Sequence, residues 1–178
     1  MTIKELFTPL PVLKSDRLEI RPLTHLDALD LYKMVHDTEV YRFVPKNLFE
    51  LKYNDVNMTI AHLYTECLEK SLILGVFEQG KFCGLVECYG YDEANQKISI
   101  GFRSLKEFRG KGVVTETVKL IVDFLKREKK IETITCSTLS QNVHAEQVLM
   151  NAGFVCVVRG FPENWGYEQL LPTNKWIR

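Results

Sequence analysis

Net charge is the first thing the sequence lacks: Lys+Arg and Asp+Glu number 23 each among 178 residues. A chain balanced in this way draws neither nucleic acid nor an anionic membrane by its overall field, so any cationic site must be local. No apolar run reaches the ~18 residues that suggest a membrane span. The opening Met1-Thr-Ile-Lys-Glu-Leu6 also lacks the apolar stretch of a secretion signal. Cysteines stand at 67, 83, 88, 136 and 156, an odd count without Cys-x-x-Cys or metal-type spacing. They read as small core hydrophobes of a reduced, cytoplasmic protein without a metal. Internal repeats, low-complexity tracts and linkers are missing too, so residues 1–178 are expected to form a single domain.

What is present centres on residues 96–130. Ile98, Ile100 and Phe102 alternate with small or polar neighbours, the period of a strand. Arg103-Ser-Leu-Lys-Glu-Phe-Arg-Gly-Lys-Gly112 follows, with cations at Arg103, Lys106, Arg109 and Lys111 around two glycines. From Val113 the spacing becomes helical: Val114, Val118, Ile121 and Leu125, widened by Leu120 and Phe124. A glycine loop that opens into a helix N-terminus suits an anion, because the first N–H groups lack internal partners and the macrodipole is positive there. The pattern is weak alone, since a plain strand-to-helix turn would look similar. Two familiar phosphate motifs are excluded. A P-loop needs Ser or Thr after Gly-Lys, and a dinucleotide fingerprint needs a third glycine near Thr115.

The other elements follow from periodicity. Arg17–Arg21 alternates as a strand ended by Pro22, and Thr24–Asp27 makes a capping-box-like start. Leu26, Leu29, Tyr32 (or Lys33) and Val35 (or His36) then give the stripe of a helix to about Thr38. The segment 39–52 is mixed around Pro45 and reads as a packed loop. Asn54 is the expected cap of a second helix striped by Val56, Ile60, Leu63 and Cys67. Leu72–Phe77 and Phe82–Tyr91 form a hairpin through Gln79-Gly80, and a turn at Asp92–Asn95 delivers the chain to Ile98. Ile131–Cys136 arrives after a helical crossover and should pair parallel to the Ile98 strand. Asn142 or Ser140 starts a further helix, which Gly153 stops. Val155–Val158 and Tyr167–Leu171 are expected to form a last hairpin.

Glu107-Phe-Arg-Gly-Lys-Gly112 resembles the acyl-CoA loop of the GNAT N-acetyltransferases, Gln/Arg-x-x-Gly-x-Gly/Ala. Ile98-Ser-Ile-Gly-Phe102 ahead of it, Thr115-Glu116 behind it and Asp16–Thr24 near the start are similar to the RimJ/RimL-like branch, which acetylates ribosomal-protein N-termini. Asn142-x-x-Ala145-x-x-Val-Leu-x-Asn151-x-Gly-Phe154 resembles that family's Asn-x-x-Ser…Lys-x-Gly-Phe helix. Three positions depart: Glu107 stands for Gln or Arg, Ala145 for Ser and Asn151 for Lys. Glu107 is expected to face solvent.

The resemblance implies an α+β fold (α/β mixed), the GNAT acyl-CoA N-acyltransferase fold. Its central mixed sheet is mostly antiparallel, with helices on both faces and one splayed parallel strand pair. It implies acetyl-CoA as co-substrate, its pantetheine arm along Ile100, Phe102 and Arg103. Phe108, Arg109, Gly110, Lys111, Gly112, Val113, Val114 and Thr115 would surround the pyrophosphate, with Asn142 near the thiol. Segment 39–52 would border an acceptor pocket. The acceptor would be a primary amine, either a protein N-terminus or a small molecule, and the assembly a monomer or homodimer. Acid–base groups are few: Ser99 and Leu149 occupy positions where relatives carry a carboxylate and a tyrosine. Glu87, between Val86 and Cys88 on a central strand, is costly to bury without purpose and is the first candidate to act as base or to hold the ammonium. Ser99 and His144 are the others. An acetyl-thiol route through Cys88 or Cys136 lacks a visible paired base. A CoA-binding module without turnover, and a phosphate-binding fold unrelated to CoA, are the competing readings. Arg109→Ala is expected to weaken CoA binding by about 1–3 kcal/mol, the scale of a lost charge-assisted hydrogen bond; titration calorimetry reads it directly.

Overall fold

Residues 71–104 set the frame, because three runs of alternating apolar residues there leave both faces of a sheet to be covered. In the computed structural model, which describes residues 1–178, they are β3 (Ser71–Glu78), β4 (Lys81–Asp92) and β5 (Lys97–Ser104), paired antiparallel in succession. The β3–β4 turn places Gln79 and Gly80 at φ 49° and 80°, the left-handed pair that a two-residue hairpin requires. On one side β1 (Leu13–Lys14) and β2 (Leu18–Arg21) extend the sheet, and on the other stand β6 (Thr133–Leu139), β7 (Val155–Glu163) and β8 (Leu171–Ile177). The order across all eight is β1-β2-β3-β4-β5-β6-β8-β7, with β5–β6 the parallel pair and every other pairing antiparallel.

The alternation sorts side chains into two cores. Leu72, Leu74, Val86, Cys88, Ile98, Ile100 and Ile134 pack under α1 (Ile3–Leu6), α4 (Val113–Arg127) and α5 (Val143–Asn151). Ile73, Phe77 and Leu85, from the opposite face, pack under α2 (Ala28–Val35) and α3 (Val56–Leu63). Each fully buried Leu, Ile or Phe contributes about 1.5–3 kcal/mol, so both layers are well anchored. Four of the five cysteines are buried and all are free.

Four expectations need correction. The capping box at Thr24 and Asp27 is present, and Arg21 holds Asp27 bidentately at 2.8 and 2.9 Å. A 3₁₀ turn over His25–Asp27, however, precedes α2 and changes the helical phase. Leu26 and Leu29 are therefore exposed (82% and 64%), while Leu31 and Met34 are fully buried. Asp55, not Asn54, caps α3 by accepting from the N–H groups of Asn57 and Met58. In α4, Val113 is in the core and Val114 is not. The last hairpin is longer than expected. The β7–β8 register shifts between Cys156 and Val158 and again between Val158 and Phe161 without ending the strand, and within the second shift Asn174 Oδ1 accepts the Gly160 N–H at 2.9 Å. Residues 164–170 are thus the loop, and β8 starts where the partner strand was expected to finish.

Leu31→Ala should cost about 2–5 kcal/mol, as cavity-forming substitutions do, whereas Leu29→Ala should stay within about 0.5 kcal/mol. Urea unfolding of both variants distinguishes the observed phase of α2 from the expected one.

Candidate active site

The parallel pairing of β5 and β6 lasts three residues, Lys97–Ser99 against Thr133–Thr135. Beyond it β5 stays with β4 up to Ser104, while β6 turns to β8. The chain fills one mouth of the resulting gap with the glycine loop and the other with segment 43–49 and the β7–β8 loop. Two cavities result. The first, ≈ 290 Å³, is lined by Phe102–Ser104, by Phe108, Arg109, Gly110, Gly112, Val114 and Thr115, and by the outer face of α5. The second, ≈ 390 Å³, lies between Ile100–Arg103, Cys136–Thr138, segment 43–49 and Glu163–Gly166, with Glu87 and Tyr89 on its wall. Phe43, Val44, Phe102, Arg103, Asn142 and Ala145 line both, so the cavities meet at the gap.

Gly110 and Gly112 sit at φ 71° and 77°, a backbone conformation that costs other residues dearly. A Cβ on Gly110 would meet no atom within 4 Å, so the loop backbone is open to a ligand. Gly112 is also the N-cap of α4, and no side chain caps that helix. Its first N–H groups are left for an anion. Arg17 fixes this helix start by donating to the Lys111 carbonyl at 2.9 Å and pairing with Glu116 at 3.0 Å. Arg109 Nη2 donates to the carbonyls of Ser104 (3.1 Å) and Glu39 (3.2 Å), tying the loop to β5 and to the start of segment 39–52. Asn142 caps α5, its Oδ1 accepting from Ala145 N at 3.2 Å, while its side-chain nitrogen makes no hydrogen bond within the chain. An uncapped helix, an open glycine turn and an unpaired strand edge together fit a phosphorylated ligand with an amide-bearing arm.

The expected residues fall into groups. Phe102, Arg103, Phe108, Arg109, Gly110, Gly112, Val114, Thr115 and Asn142 line the first cavity, and Ile100 the second. Val113 is 1% exposed in the core, and Lys111, exposed, lines neither cavity. Glu107 is exposed, as expected. Arg103 is the main correction. Its guanidinium adds no charge to the glycine loop, because it is buried between Glu50 and Glu87, Nη2 lying 2.9 Å from each. Burial alone would favour losing its proton, but the two carboxylates override this and push its pKa up.

Among the catalytic candidates, Glu87 reaches the second cavity and accepts from Ser71 and Arg103. His144 is exposed on the rim of the first. Ser99 lines neither; its Oγ is bound to Thr135 Oγ1 at 2.8 Å between the paired strands. Cys136 lines the second cavity, but burial pushes its thiol up to about 12 and no base contacts it. Leu149 is fully buried. Glu50, whose side chain is wholly enclosed, was not singled out by sequence. The signal that marked Glu87, an acid between apolar neighbours, was equally present in Phe49-Glu50-Leu51.

A family model described as an acetyltransferase (GNAT) domain matches residues 17–155. A Bacillus subtilis (strain 168) protein named as a ribosomal N-acetyltransferase, YdaF, is 26% identical over 81 residues, 46% of this chain and 44% of that protein. The match therefore spans less than half of that relative's length. Among solved structures, RimL, a ribosomal L7/L12 alpha-N-protein acetyltransferase in complex with coenzyme A, superposes with a TM-score of 0.80. It is 14% identical over 94% of this chain and 97% of that one. Spermidine N-acetyltransferase from Vibrio cholerae, in complex with CoA and spermine, gives 0.76 at 13% identity over 92% and 96%. At these identities the likeness is one of fold.

Asn142→Ala should destabilise the protein by about 1 kcal/mol through loss of the cap, and Asn142→Asp, an equally good cap, should not. Thermal unfolding separates the two. If the side-chain nitrogen serves the ligand, Asn142→Asp will lower CoA affinity at unchanged stability.

Proposed function

The chain belongs to the GNAT acetyltransferase family, and from that premise we propose that it transfers the acetyl group of acetyl-CoA to a primary amine, by direct attack of that amine. The acceptor we favour is a protein N-terminal α-amine. The observation that carries this reading is the continuity of the two cavities through the gap between β5 and β6. One has an uncapped helix N-terminus at its edge, and the other has a carboxylate on its wall.

When bound, acetyl-CoA supplies the activated acyl group. The chain's own part begins at β5, whose edge from Ile100 is not paired to β6 and so offers main-chain groups to an amide-bearing arm. The loop from Arg109 to Thr115 would hold the diphosphate through N–H groups and the helix dipole. Glu87 would hold the amine as an ammonium or take its proton. Its burial among Ser71, Arg103 and the cavity wall keeps it oriented. An α-amine, with a pKa near 7.7–8.0, is partly neutral already at pH 7, so a weak base suffices. A small-molecule amine is the second reading of the acceptor. The second cavity, at ≈ 390 Å³, falls in the range of small-ligand sites.

The test is a thiol-release screen with acetyl-CoA against N-terminal peptides, polyamines, aminoglycosides and amino acids. Release above the no-amine rate is expected with at least one class, most strongly with peptides. Glu87→Gln should lower turnover by about 10²–10⁴-fold if Glu87 is the base, at unchanged CoA affinity. CoA binding without release for any amine would leave a binding module instead.

A further inference from the structure

Glu50 is the deepest charge on the acceptor side. A 3₁₀ turn over Phe49–Leu51 delivers it, and its side chain is 0% exposed. Its oxygens take Nε and Nη2 of Arg103, and the same Nη2 serves Glu87 at 2.9 Å. One guanidinium is therefore divided between two carboxylates. Tyr41 adds a hydroxyl to Glu50 at 3.3 Å and Ser71 adds one to Glu87. All four carboxylate oxygens have donors, yet two anions share one cation. A buried charge without a full counter-charge is expensive, and of the two carboxylates only Glu87 reaches the second cavity. Glu163, on the same wall, is already cancelled by Lys175.

A donor stands beside this excess negative charge. Arg103 Nη1 makes no hydrogen bond within the chain. Gly101, which lines the cavity, has no side chain to cover it. A Cβ there would lie 3.8 Å from Nη1 and 4.0 Å from Glu87 Oε2. A surplus carboxylate and a free N–H donor thus flank one small opening. An α-ammonium with a carbonyl one carbon away presents the complementary pair.

We infer that Glu50, Arg103 and Glu87 together read an α-aminoacyl group. Glu87 takes the α-ammonium, and Arg103 Nη1 donates to the neighbouring carbonyl. Glu50 is the positioning residue: by holding Arg103 it keeps the guanidinium from closing on Glu87 alone and leaves the pocket one negative charge in excess. The inference deepens the acetyl-transfer reading and rests on it for the identity of the cavity.

The experiment is calorimetry on CoA-saturated protein with an alanine tripeptide amide, its desamino analogue and spermidine, using wild type, Glu50→Gln and Glu50→Asp. The tripeptide amide should bind about tenfold or more tighter than either comparator, the scale of a charged pair with good geometry. Glu50→Gln should bring it down to the desamino value without changing CoA affinity, and Glu50→Asp should recover most of the difference. Equal binding of the tripeptide and its desamino form by wild type, tighter binding of spermidine, or an unchanged tripeptide in Glu50→Gln would overturn the assignment. If Glu50→Gln does not fold, the wild-type comparison alone decides. Since no turnover is read, selective binding without thiol release would defeat the transfer reaction and leave the recognition standing.

Discussion

The early parting of β5 and β6 is the constraint on which the rest of the structure depends. Three paired residues suffice to fix the crossover, because Ile98 and Ile134 are already fully buried there. Had the pairing continued, both cavities would be sheet. Instead β6 takes β8 as its partner and β8 takes β7, so the right-hand part of the sheet satisfies its own ladder. The β5 edge is left open at no cost to β6. An open strand edge is ordinarily a liability; here the chain encloses it between α5 and segment 43–49.

The longer segment 39–52 to which it belongs has little regular structure, yet polar links hold it on every side. Arg109 donates to the Glu39 carbonyl, Arg103 pairs with Glu50, Lys46 N–H donates to Trp165 O at 2.8 Å, and the Tyr167 hydroxyl donates to Val44 O at 3.1 Å. Two of these come from β5 and the loop that follows it, and two from the β7–β8 loop. The wall of the second cavity is therefore referenced to the same strand that borders the first. Exposed ion pairs are worth little, but the Glu50–Arg103 pair is enclosed. Removing either member would strand a charge, which is far costlier than losing a surface contact.

Much of this was legible in the residues. The strand pattern of 98–102, the glycine pair, the start of a helix at Val113 and the cap at Asn142 are local signals, and each element forms where its signal lies. Three things were not legible, each for a physical reason. The phase of α2 depends on a 3₁₀ turn whose signature is the same Thr24–Asp27 box that precedes an ordinary helix. The extent of β7 depends on a side-chain amide, Asn174, replacing a ladder bond opposite Gly160. Arg103 looked like one more cation of the glycine loop, because its partners lie 53 and 16 residues away in sequence. Strand alternation did contain a hint: Arg103 and Glu87 lie on the face shared with Gly101, opposite the one that buries Ile100.

The protonation states around the second cavity narrow the chemistry independently of its charge. Burial raises the pKa of Tyr89 and pushes Cys136 up to about 12, so both are hydrogen-bond donors at neutral pH and neither can accept a proton. Ser99, which lines neither cavity, is committed to Thr135, and Leu149 is buried in the core with no ionisable group. Of the two carboxylates on that wall, Glu163 has its own counter-charge in Lys175 and a further donor in Trp165 Nε1 at 2.9 Å, whereas Glu87 shares Arg103 with Glu50 and is the one left short of positive charge. A lysine amine, with a pKa near 10.4, needs a strong base at neutral pH, whereas an α-amine near 7.7–8.0 is partly neutral without one. The scarcity of acid–base groups, which would count against attack by a lysine amine, is compatible with the proposed α-amine acceptor.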